Sequence, residues 1–228
     1  MTLAPKTVLF EDNHLLVVNK PAGLLVQGDR TGDETLADQA KAYIKNKYNK
    51  PGDVFLGIVH RIDRPVSGAV VLARTSKALE RLNESFRDRK VEKVYWALVK
   101  NRPPQVQGTL VNWIKKNTNT NKAVAFNKPG GGALKSSLSY ELIGRLSDYY
   151  LLEVKPDTGR PHQIRVQLAK MGCPISGDLK YGATDKSKDG RIYLHSREIV
   201  IPHPVKKEPL RITASLPDDQ IWQMFRGV

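Results

Sequence analysis

The stretch Gly57-Ile58-Val59-His60-Arg61-Ile62-Asp63-Arg64-Pro65-Val66-Ser67-Gly68-Ala69-Val70-Val71-Leu72-Ala73 decides how the chain folds around its chemistry. Two apolar runs, Phe55 to Val59 and Gly68 to Ala73, are short and rich in branched residues, so both are expected as buried strands. Between them His60 to Ser67 is a polar turn. One strand delivers a charged cluster into a loop and a second leads away. Loops held by rigid flanking elements are common places for catalytic groups. Asp63 lies between Arg61 and Arg64, whose positive charges favour a carboxylate. Taken alone, it reads equally well as a turn aspartate kept in order by arginine.

Working outward, Val8 to Phe10 and Leu15 to Val18 read as strands around a turn, and Lys20-Pro21-Ala22-Gly23 ends the pattern. Thr35 to Lys47 has helical spacing, with Asp33 as the expected N-cap. Ser76 to Arg89 is an amphipathic helix capped by Thr75 or Ser76. Strands are expected at Lys93 to Lys100, at Ser137 to Ile143 and at Tyr149 to Val154. A hairpin is expected from Thr109 to Ile114 and Lys122 to Phe126 across the turn Asn117 to Asn121. Pro161 to Met171 reads as a helix with proline in its first turn. Ile192 to Leu194 and Ile199 to Ile201 are strand-like, and Asp218 to Arg226 is a short terminal helix. Many strands with few helices give an α+β (mixed α/β) class. With no repeat and no long linker, residues 1–228 read as a single domain.

Composition narrows the function. The 228 residues carry a formal charge of +14, which favours polyanionic partners, nucleic acid first. The basic residues are spread along the chain, which fits a folded basic surface better than a membrane-surface helix. No apolar run approaches a membrane span, and Met1 to Thr7 lacks a secretory pattern. Cys173 is the only cysteine, which excludes intrachain disulfides and four-thiolate zinc sites. A cytoplasmic location is the expectation.

Two further segments can carry chemistry. In Thr158-Gly159-Arg160-Pro161-His162-Gln163-Ile164-Arg165-Val166-Gln167-Leu168, a helix starting at Pro161 puts His162 and Arg165 on one face and Ile164 and Leu168 on another. Arginine suits a partly buried carboxylate because its planar fork pairs at two points and stays charged. An amphipathic helix with a solvated basic face explains the same residues. In Lys93-Val94-Tyr95-Trp96-Ala97-Leu98, Tyr95 either faces a cleft or adds area to the core.

Together the segments resemble the RluA-type family of RNA pseudouridine synthases, over roughly Val8 to Leu216. The elements are His60-Arg61-Ile62-Asp63 with Ser67-Gly68, then Gly159-Arg160-Pro161-His162-Gln163-Ile164-Arg165 running on to Gly172, Pro174-Ile175, Gly177-Asp178 and Tyr181-Gly182, and the early Asn19-Lys20-Pro21-Ala22-Gly23. The resemblance implies a largely antiparallel mixed sheet with flanking helices and loops around a central cleft. It implies isomerisation of uridine to pseudouridine in ribosomal or transfer RNA, without metal or organic cofactor. By match of motif Asp63 is the essential carboxylate. Arg165 is expected to pair with it and keep it ionised, and Tyr95 to stack beneath the uracil and help remove the C5 proton. Arg61 is expected to fill the space of a flipped nucleotide, a step that costs a few kcal/mol. His60, Arg160 and His162 complete the expected RNA-binding set.

Many relatives carry histidine where Gln167 stands, so Gln167 is given no catalytic role. Some carry a separate N-terminal S4-like domain. Here the first motif comes almost at once, so the catalytic domain, as a monomer, is expected to hold the RNA itself; Lys115 to Lys128 reads either as an aid to that or, slightly better, as a mobile surface hairpin. Two other classes compete: an RNA-binding protein that lost the chemistry, and a metal-dependent nuclease using His60, Asp63, His162 or His195. Retention of Asp63, Tyr95 and Arg165 speaks against the first, and the lack of tight ligand spacing against the second.

Overall fold

The computed structural model describes residues 3–187 and 189–228. In chain order, β1 (Val8–Glu11), β2 (Leu15–Lys20), α1 (Leu36–Lys47), β3 (Gly57–Ile58), β4 (Ser67–Ala73) and α2 (Ser76–Arg87) come first. Then follow β5 (Glu92–Val99), β6 (Gln107–Asn117), β7 (Lys122–Phe126), β8 (Leu134–Leu146), β9 (Tyr149–Pro156), α3 (Gln163–Lys170), β10 (Leu194–Pro202), β11 (Pro209–Thr213) and α4 (Gln220–Gln223). Many strands and few helices make an α+β fold. The chain gathers into two compact units: the part through Glu92 with Ser196–Ser215, and Lys93–His195 with Leu216–Val228.

In the first unit β4 is the centre, and all seven of its residues are buried. β2 runs antiparallel along one of its edges from Leu15↔Ala73 to Lys20↔Gly68. Leu15, Val17, Ala69, Val71 and Ala73 pack with Ala78 and Leu82 of α2 and with Ile199, Ile201 and Ile212 of β10 and β11. Gly68 is required here. Its φ is +115°, and a Cβ would lie 2.3 Å from the Ser196 carbonyl oxygen.

The second unit is an antiparallel sheet in the order β5-β9-β8-β6-β7. Its hairpin of β6 and β7 buries Ile114, Ala123 and Ala125 against Val166 of α3 and Tyr181. The period of two along β6 and β7 turns the alternate residues outward.

Several local expectations are corrected. Thr35, not Asp33, caps α1: its hydroxyl accepts the Asp38 N–H and the Asp38 carboxylate takes the Thr35 N–H, a full capping box. The strand expected from Phe55 shrinks to Gly57–Ile58, because β10 also lies against β4 and leaves little of its edge. α3 begins at Gln163, not Pro161, since His162 sits in the left-handed region at φ 54° and ψ 22°. Its side-chain direction is therefore not that of a helix residue paired with Arg165. The strand-like pieces around 192 and 199 form one strand beginning at Leu194, and the terminal helix is confined to Gln220–Gln223.

Candidate active site

Asp63 is half-buried in the turn between β3 and β4, and its carbonyl accepts the Val66 N–H at 3.0 Å. The segment that leaves β2 is stitched to this turn. Gly23 N–H donates to the Arg64 carbonyl at 2.8 Å, and Arg64 Nε donates back to the Gly23 carbonyl at 3.0 Å. Lys20 is fully buried, and its Nζ donates to the carbonyls of Pro21 (2.8 Å), Leu24 (2.7 Å) and Arg64 (3.2 Å). Three carbonyls match the three N–H groups of an ammonium. The backbone just after Asp63 is thus pinned from beneath by a single side chain.

Burial pushes the Lys20 ammonium down from 10.5 to about 7; the Asp63 carboxylate opposes this and Arg64 adds to it. Between those two values the unfolded chain holds a proton at Lys20 that the folded chain releases, so stability rises with pH across about 7 to 10.5. Below about 7 both states are protonated and the slope vanishes. Lys20→Met should flatten that rise relative to the unaltered protein in urea titrations at pH about 6.5 and about 9.5. Equal pH slopes for the two proteins would contradict the assignment.

The residues around Asp63 are held in specific ways. Arg64 pairs with Asp33 at 2.8 Å, and Arg61 Nη1 donates to Gln27 at 3.3 Å, both at the surface. His60 Nε2 accepts the Val71 N–H at 3.0 Å, and its ring stacks on Phe86 with centroids 5.1 Å apart. The ring is therefore oriented by β4 and α2, with Nε2 unprotonated in that bond.

In the second unit α3 is unusual in being buried from Gln163 to Leu168, polar residues included. Each polar side chain has an assigned partner. Gln163 Oε1 accepts the Thr158 hydroxyl (2.7 Å) and the Arg160 N–H (3.0 Å), which organises the chain entering the helix. Gln167 Nε2 donates to the Leu110 carbonyl and to Asn112, so this residue braces β6. Arg165 is only 6% exposed and closes a fork on Asp178, Nε to Oδ2 at 2.7 Å and Nη2 to Oδ1 at 2.9 Å. Its guanidinium also lies over the Tyr181 ring at 5.0 Å. His162 Nδ1 meets the Tyr181 hydroxyl at 2.7 Å, and that hydroxyl accepts the Ala123 N–H. Among the described residues Arg160 Nε is buried without a hydrogen-bond partner, an arrangement that a bound acceptor would satisfy. Tyr95 is half-buried on β5, opposite Val154 of β9.

Lys20 and Asp178 received no role from the sequence, although both lie inside quoted motifs. The signal was their residue type: a lysine or aspartate embedded among apolar neighbours must find partners when buried.

A family model described as RNA pseudouridylate synthase matches residues 14–170. The chain is 33% identical over 202 residues to ribosomal large subunit pseudouridine synthase D of Borreliella burgdorferi, covering 86% of this chain and 61% of that one. It is 35% identical over 221 residues to ribosomal large subunit pseudouridine synthase C of Vibrio vulnificus, covering 92% and 65%. The chain thus spans less than two thirds of the length of these relatives. The solved structure of human RNA pseudouridylate synthase domain containing 4 superposes with a TM-score of 0.80 at 26% identity, covering 97% of this chain and 92% of that one.

Proposed function

The chain belongs to the RNA pseudouridylate synthase family, and from that premise we propose that it isomerises uridine to pseudouridine in RNA. In this reaction the N1 link of uracil to the sugar breaks, the base turns, and C5 forms the new bond while its proton leaves. Asp63 is the essential carboxylate, and Tyr95 and Arg165 are its partners in the reaction. Asp63 belongs to the first compact unit, and Tyr95 and Arg165 belong to the second. The observation that carries the proposal is the braced Asp63 turn: Lys20 and Gly23 of the early motif hold the backbone of the residue that follows Asp63. A carboxylate on a fixed loop suits a nucleophile or a base.

Arg61, His60, Arg160 and His162 are proposed to contact the RNA. Ribosomal RNA is the first substrate to test, because the similar proteins of Borreliella and Vibrio are named for the large ribosomal subunit. Transfer RNA is the second. We place the reaction in the cytoplasm and the active protein as a monomer; among the described residues no helix is long and apolar enough to cross a membrane.

RNA carrying tritium at uracil C5 tests the proposal, because forming the C5 bond releases the label. Release that proceeds with the protein and stops without it is expected. No release from ribosomal or transfer RNA would overturn the assignment. Binding should also weaken steeply with salt, since lysine and arginine on phosphates release counterions. A log-log slope near zero between about 50 and 200 mM salt would show that the +14 charge does not serve RNA.

A further inference from the structure

From Lys93 to Tyr140 the sequence contains no aspartate or glutamate, while it holds eight lysines and arginines. The middle of this stretch builds the hairpin of β6 and β7 and the start of β8. One face of those strands is occupied: Ile114, Ala123 and Ala125 pack toward α3. Among the described residues the other face has no such cover. Val111, Val124 and Phe126 are 44%, 45% and 44% exposed, and Trp113 is half-exposed. Trp113 lies directly across from Phe126 on β7 and from Lys135 on β8, and Lys115 lies across from Val124. Lys122, at the start of β7, instead carries its ammonium over the Tyr181 ring at 5.7 Å, toward the covered face.

We propose that this face is a stacking platform for an unpaired stretch of RNA, with Trp113 and Phe126 beneath bases and Lys115 and Lys135 on the phosphates. The inference rests on the reading of the chain as acting on RNA and adds where a strand is held. Cross-strand partners put two aromatic side chains about 5 Å apart at Cβ. A sheet that offers neighbouring aromatic faces to bases is a general solution for single-stranded RNA. Charge selects the occupant. An apolar protein partner has no need of Lys115 and Lys135 flanking the aromatic pair, in a stretch from Lys93 to Tyr140 without one acid, whereas a phosphate backbone matches them. Beside the platform the loop Gly130 to Gly132 offers backbone without side chains, and the Lys115 ammonium lies alongside Gly131.

The reporter is built in. Trp96 and Trp222 are buried at 6% and 1% exposure, so Trp113 is the tryptophan that a solution ligand can quench. An unstructured oligouridylate of about twelve nucleotides should quench the fluorescence saturably, and a duplex of equal length should compete poorly. Trp113→Phe should bind with near-normal affinity and lose the quenching, which also shows that the sheet still forms. Trp113→Ala combined with Phe126→Ala should bind at least about thirtyfold more weakly, the scale of two lost base stacks. Equal affinity of the double variant, or duplex competing as well as single strand, overturns the platform. So does a concentration-dependent dimer that Trp113→Ala abolishes, because the face would then hold a second copy. Tritium release by the unaltered protein decides the enzymatic reading separately. Release without platform binding removes the platform alone, and platform binding without release removes the enzymatic reading alone.

Discussion

Asp63→Asn is expected to lower tritium release by at least about a thousandfold while RNA binding stays within a few-fold of normal. The asparagine keeps the size of the side chain and leaves the Asp63 carbonyl free to accept the Val66 N–H, so the turn should survive. What it loses is a negative charge and a lone-pair donor able to attack or to take a proton. Each role the carboxylate could play, toward the sugar or toward the base, needs that capacity. The Lys20 side chain still faces its three carbonyls, but without the Asp63 charge that favours its ammonium, so urea unfolding of the variant is measured alongside. A loss of activity with normal binding therefore reports chemistry, not folding.

The second large effect concerns Arg165 and Asp178. Their side chains are 7% and 1% exposed, so each is the other's compensation in a poorly solvated place. Arg165→Met leaves the Asp178 carboxylate buried without its fork and should cost about 3–5 kcal/mol of stability. Asp178→Asn should be milder, because an amide oxygen can still accept one of the two bonds. Combining Arg165→Met with Asp178→Asn removes the uncompensated charge, and stability should partly return. Activity should not. If Arg165 takes part in the reaction, the double variant binds RNA and releases little tritium; recovery of both stability and release would reduce Arg165 to a structural residue. Urea unfolding and tritium release on the three variants separate the outcomes.

Much of the fold was legible in the sequence because its strands are local apolar runs. Gly68 to Ala73, Lys93 to Lys100 and the hairpin to Phe126 were each found within a few residues of their true ends. What the runs conceal is set by distant partners. β11 is Pro209–Thr213, a mixed segment with little pattern of its own, and it is a strand because β10 pairs with it. The Thr35 cap was readable, since Thr35 and Asp38 have capping-box spacing, yet Asp33 drew the assignment and instead pairs with Arg64. Pro161 promised a helix start that the left-handed His162 delays.

The candidate residues show the same division. The turn carrying Asp63 followed from two strands and the polar segment between them. That Lys20 fastens this turn did not, because 44 residues separate Lys20 from Arg64 and their hydrogen bond exists only once β2 lies along β4. The fork between Arg165 and Asp178 likewise closes only through the fold, across 13 positions. Motif resemblance singled out Arg165, and geometry supplied the partner that fixes its guanidinium.

The central claim is that this chain makes pseudouridine with Asp63. Mapping pseudouridine in total RNA from cells that carry the protein, lack it, or carry Asp63→Asn tests it most directly. Discrete uridines modified only when the unaltered protein is present, and unmodified with Asp63→Asn, are the predicted result. Identical pseudouridine maps in all three, or full modification by Asp63→Asn, would contradict it.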